Sequence, residues 1–81
     1  MARTALITGG TRGIGEAICV ALKNAGYTVA ANYGGNDAAA KAFTERNGIP
    51  AYKFDVSDFD AVQAGVKAIE NDLGPIEVLV N

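Results

Sequence analysis

Residues 8–15 read Thr-Gly-Gly-Thr-Arg-Gly-Ile-Gly, directly after the apolar run Ala5-Leu6-Ile7. Residues of these types at this spacing can hold a diphosphate. Such an anion needs several backbone N–H donors converging on it and no Cβ atoms in the way. Gly9, Gly13 and Gly15 supply the positive φ angles and the close approach. A helix opening near Gly13 adds its N-terminal partial positive charge and its unpaired N–H groups. Thr11, Arg12 and Ile14 lie in the same turn and are candidate contacts with the bound group. A Walker A loop is excluded, because neither Gly-Lys-Ser nor Gly-Lys-Thr follows. The Gly-x-Gly-x-x-Gly fingerprint also fails, since no glycine stands three residues after Gly15.

Positioning such a turn takes a strand before it and a helix after it, and the chain repeats that alternation to its end. Strands are expected at residues 4–8, 27–32, 51–55 and 76–80. The first and last are nearly continuous apolar runs, as central parallel strands covered on both faces should be. Ile14, Ala17, Ile18, Ala21, Leu22 and Ala25 recur at helical spacing and predict the first helix. An Ala-rich helix at 37–47 carries Phe43 as its anchor. A third, at 58–73, aligns Phe59, Val62, Val66, Ile69 and Leu73 on one stripe, with Ser57 expected as its N-cap. Gly26, Gly48 and Gly74 each stand just past a helix. Right-handed crossovers then give an α/β, Rossmann-type doubly wound parallel sheet, β-α-β-α-β-α-β, with strand order 3-2-1-4.

Composition narrows the partners. With 49% hydrophobic residues among 81 and a net charge of −2, the chain suits one small globular unit without general attraction for nucleic acid or anionic membrane. No apolar stretch is long enough to cross a bilayer, and with residues 1–3 leading straight into the first strand no signal peptide is expected. The single cysteine, Cys19, fits a reducing cytoplasm and reads as a packed or partly exposed thiol, there being no histidine to activate it. No metal-ligating cluster is present in the sequence.

The spacing Thr8-Gly9-x-x-x-Gly13-x-Gly15 resembles the signature of the short-chain dehydrogenase/reductase family, and the likeness runs along the whole chain. The resemblance implies that Asp55 and Val56 contact the adenine of a dinucleotide, the alternative for Asp55 being a loop acid beside Ser57. It also implies that Asn81 opens the family's Asn-Asn-Ala-Gly turn. Within the family, Arg12 and residues 27–40 look most like reductases of acetoacetyl-CoA. Reductases of 3-oxoacyl-(acyl-carrier-protein) substrates come next. The expected substrate is therefore a small acyl thioester, and the expected intact protein a cytoplasmic homotetramer. A non-catalytic nucleotide-binding module is the alternative.

Cofactor choice has its own argument. NAD-preferring enzymes place an acid at the end of the second strand, which binds the ribose hydroxyls and repels a 2′-phosphate. Neutral Asn32 and Tyr33 occupy that place here, and Arg12 offers a guanidinium that can grip a phosphate two-pronged. Together they point to NADP(H), Arg12 otherwise being a solvated loop residue. On this reading Asn32→Asp would shift preference toward NAD(H). The family's catalytic Ser, Tyr and Lys have no counterparts: Ala31, Asp37 and Val56 stand four residues after Tyr27, Tyr33 and Tyr52, so no Tyr-x-x-x-Lys occurs. No catalytic residue is assigned. Residues 1–81 are expected to be the N-terminal part of a single NADP-binding domain whose catalytic half lies elsewhere.

Overall fold

Four parallel strands and three helices alternate along residues 2–81, which the computed structural model describes. Strand β1 (Thr4–Ile7) leads into helix α1 (Gly13–Asn24), β2 (Thr28–Tyr33) into α2 (Asp37–Asn47), and β3 (Ala51–Lys53) into α3 (Phe59–Leu73). Strand β4 (Ile76–Val80) follows. The sheet order is β3-β2-β1-β4, as the alternation predicts. β1 pairs with β2 from Thr4↔Thr28 to Ile7↔Ala31, and β2 with β3 from Ala31↔Ala51 to Tyr33↔Lys53.

The two-residue period of the strands divides the core in two. Ala5, Ile7, Val29 and Ala31 join Cys19, Phe43 and Ile49, with Ile18 and Leu22 packed against them on the α1 and α2 side. Leu6 and Ala30 point the other way and join Phe54 and Ile69 beneath α3. Phe43 and Ile69 have no exposed surface, and burying a side chain of that kind stabilises the fold by about 1.5–3 kcal/mol. Every residue of β1 is buried, which accounts for its continuous apolar run.

Several boundaries differ from the sequence expectation, each for a local reason. β3 stops at Lys53, because Phe54 N–H donating to Tyr33 O (3.1 Å) is the last rung before the chain turns away. The N-cap of α3 is Asp58, not Ser57. The Asp58 carboxylate accepts from Ala61 N–H at 3.2 Å, where a negative charge gains more from the helix terminus than a neutral hydroxyl would. The stripes also lose their first members: Ile14 is 82% exposed and Phe59 72% exposed. Both residues sit in the first turn of a helix, at the end where the chain has just left the sheet.

Candidate functional site

The carboxyl ends of the strands form the edge where α/β sheets bind ligands, next to the point where strand order reverses. Here that point lies between β1 and β4, and the loop leaving β1 occupies it. Gly9 has φ +64° and Gly13 φ +61°, and a Cβ on either would meet nothing within 4 Å. Glycine is needed at both for backbone conformation, not for space. At Gly15 the reason is contact. A Cβ there would fall on the Gly9 carbonyl oxygen and 2.9 Å from Gly10 Cα, so the loop folds back onto the first turn of α1.

Gly10, which lies outside the glycine signature, is fixed by packing. Its Cβ would lie 2.9 Å from Cys19 Sγ and 3.0 Å from both Ala31 Cβ and Ile7 O. Cys19 supports the loop from below, its thiol 3.6 Å from Gly10 O, and burial pushes its pKa up to about 11. A thiol so held stays neutral and cannot act as a nucleophile near pH 7.

Arg12 is the N-cap of α1 with an extended backbone, and no side chain caps the helix. The opening amides of α1 therefore remain available to an anion. Among the described residues the ion pairs are Arg3–Glu77, Arg46–Glu16 and Lys53–Asp37, so the exposed Arg12 has no carboxylate partner. Thr11 is buried, while Ile14 stands open beside the loop.

At the end of β2 the two neutral residues do different work. Tyr33 is half-buried, and its hydroxyl donates to Asp37 Oδ1 at 3.0 Å. Asp37 is held below the ordinary carboxylate range by that bond and by Lys53, whose ammonium lies 3.3 Å away. Asn32 is 3% exposed and turned inward. Its Nδ2 donates to Phe54 O at 2.9 Å, and its Oδ1 accepts from Gly9 N–H at 3.4 Å. The Asn32 amide is thus spent inside the protein, which corrects its placement beside Tyr33 as a ribose-facing side chain.

Past β3, Asp55 Oδ1 accepts from both Ser57 N–H (2.9 Å) and Ser57 Oγ–H (2.7 Å), and these bonds lower the Asp55 pKa. Ser57 engages one carboxylate oxygen of Asp55, while the second has no partner among the described residues and can accept from an amino group. Val56 is exposed next to it. Asn81 follows β4, and its Oδ1 accepts from Thr8 Oγ–H at 3.0 Å, tying the start of the glycine loop to the end of the last strand. One edge therefore brings together the glycine loop, Arg12, Tyr33, Asp55, Val56 and Asn81. Among the described residues no group of three His, Cys, Asp or Glu side chains could hold a metal, and no helix is long and apolar enough to cross a membrane.

The family model described as short chain dehydrogenase matches residues 3–81. An acetoacetyl-CoA reductase from Paracoccus denitrificans is 67% identical over 81 residues, covering 100% of this chain and 34% of the relative. A 3-oxoacyl-(acyl-carrier-protein) reductase from Staphylococcus aureus is 38% identical, covering 100% of this chain and 35% of its own length. A solved short-chain dehydrogenase/reductase from Serratia marcescens matches with a TM-score of 0.89 at 32% identity, covering 98% of this chain and 34% of that one. The chain spans about a third of the length of the curated relatives it matches.

Proposed function

The chain belongs to the short-chain dehydrogenase family, and from that premise we propose that it is the cofactor-binding part of an NADP(H)-dependent reductase of a short 3-oxoacyl thioester. The proposed reaction converts acetoacetyl-CoA to 3-hydroxybutyryl-CoA, with hydride supplied by the bound nicotinamide. The cradle carries this reading. Gly9 and Gly13 hold left-handed backbone and Gly15 lets the loop rest on the first turn of α1, beside helix amides that no side chain caps among the described residues. Free amides at a helix start are the kind of donor set that a diphosphate would use. Arg12 is exposed, has no carboxylate partner among the described residues and would take the 2′-phosphate. Asp55 would accept from the adenine amino group while Val56 lies beside the ring.

The thioester assignment follows the relatives: identity is 67% to the acetoacetyl-CoA reductase and 38% to the acyl-carrier-protein enzyme. Proton transfer to the substrate falls to residues outside these 81, and a full-length protein without Tyr-x-x-x-Lys would remove the catalytic part of the proposal. Steady-state kinetics with acetoacetyl-CoA against an acetoacetyl-acyl-carrier protein should favour the former. The reverse preference would assign the protein to fatty-acid synthesis.

Arg12→Ala tests the cofactor assignment. Loss of a charge-assisted bond costs about 1.5–3 kcal/mol, so NADPH binding should weaken roughly 10- to 150-fold while NADH binding changes little. Nicotinamide fluorescence titration of the full-length protein measures both. Equal effects on the two cofactors would show that Arg12 does not read the 2′-phosphate.

A further inference from the structure

Three loops meet at the carboxyl edge, and one buried side chain joins two of them. Asn32 closes a bridge in which Gly9 N–H of the glycine loop donates to its Oδ1 at 3.4 Å and its own Nδ2 donates to Phe54 O at 2.9 Å. Phe54 directly precedes Asp55. The backbone of the same residue doubles the link on the loop side, Gly10 N–H donating to Asn32 O at 3.1 Å. At 3% exposure the amide has no room to face a ligand. Its two ends are also not interchangeable, since the loop offers a donor and Phe54 an acceptor.

We infer that Asn32 is a positioning residue, a latch that sets the glycine loop and the Asp55 loop at a fixed separation, so that one dinucleotide can engage both. The inference rests on the reading of the glycine loop as the diphosphate cradle and of Asp55 as the adenine contact. A latch of this kind acts on the adenosine diphosphate portion common to NADPH and NADH, so it sets affinity without choosing between them. A side chain touching the ribose would do the opposite.

The test uses the full-length protein with NADPH and NADH as probes. Asn32→Ala should weaken both by the same factor, about five- to thirtyfold for the loss of two buried hydrogen bonds. In that background Asp55→Ala should add little, because the adenine loop is already released. A residue with only a stabilising role would leave the two losses additive.

Asn32→Asp gives a second readout. When protonated, the carboxyl group of this variant can replace the amide, its O–H donating to Phe54 O and its carbonyl accepting from Gly9 N–H. The ionised form sets a buried charge against the Phe54 carbonyl. Binding of both cofactors should be near normal at about pH 5.5 and fall together by about pH 8, as burial raises the carboxyl pKa. The nearby groups whose pKa values are displaced move away from that window, and the 2′-phosphate of NADPH, which titrates within it, makes the same pH series on the unaltered protein the reference. Tyr33 is pushed up, Tyr52 is raised to about 12 and Cys19 to about 11, while Asp37 and Asp55 are lowered. The segment has no histidine.

Circular dichroism on the same samples separates loss of the latch from loss of fold, and if Asn32→Asp does not fold, Asn32→Ala decides alone. A selective gain for NADH, or an Asn32→Ala effect confined to one cofactor, would overturn the latch while leaving the cofactor reading intact. Failure of the unaltered protein to bind either cofactor would overturn both.

Discussion

Gly15→Ala is expected to abolish measurable cofactor binding and to lower the melting temperature of the full-length protein. Helix propensity alone predicts the reverse. Gly15 lies within α1, where alanine is better than glycine by about 1 kcal/mol. The contact outweighs that gain. The added methyl would meet the Gly9 carbonyl oxygen and Gly10 Cα, which are backbone atoms that no rotamer change can move. Overpacking of this kind costs about 1–3 kcal/mol or more, and relief requires the loop to lift from the helix. Lifting it turns the Gly9 and Gly10 amides away from Asn32 and opens the cradle, so affinity should fall by more than about 100-fold, well beyond the stability loss. Gly9→Ala makes the comparison sharp. Its Cβ meets nothing, and its cost is the left-handed backbone alone, about 1–2 kcal/mol. Fluorescence titration and thermal melts of the two variants check the order. Normal cofactor affinity in Gly15→Ala would show that the loop does not cradle the diphosphate in this conformation.

The alternation of strands and helices, the sheet order and the glycine spacing were all legible in the sequence, because each is a local pattern repeated over many residues. What escaped was decided between segments. Nothing in a polar residue at a strand end tells whether it faces a ligand or the protein. Asn32 faces the protein because β3 ends one residue before Phe54 and leaves that carbonyl in need of a donor. The need for glycine at position 10 has no local signal in the sequence, since the neighbours that forbid a side chain there, Cys19 and Ala31, come from α1 and β2. Ile14 and Phe59 continue their helical stripes correctly, but each stripe overruns the sheet that buries it. Ser57 lost the cap to Asp58 because Asp55, two residues back, takes its hydroxyl.

Expressed as residues 1–81 alone, the protein is expected to self-associate or to melt without a sharp transition. β4 pairs with β1 on one side only, and its other side presents unpaired backbone N–H and C=O groups. The strand is apolar at four of five positions, and Leu79 is 59% exposed. A shift in register between Thr4 and Ala5 sets Glu77 outside the ladder and brings Ile76 and Leu79 to the same side of the sheet. There they line a cleft of about 440 Å³ with Leu6, Phe54, Val62 and Val66, under the open flank of α3. An exposed leucine and an apolar cleft wall beside a free strand edge favour pairing with another copy. The opposing stability is small, because a core of this size gives only a few kcal/mol. Leu79→Lys should then recover solubility, since a charge on that side of the edge strand penalises stacking and leaves the β1 ladder in place. Size-exclusion chromatography with thermal melts on both forms checks the pair. A soluble monomer of the unaltered segment with a cooperative transition would show that β1, β2 and the helices outweigh the open edge, and that the segment is a self-sufficient folding unit.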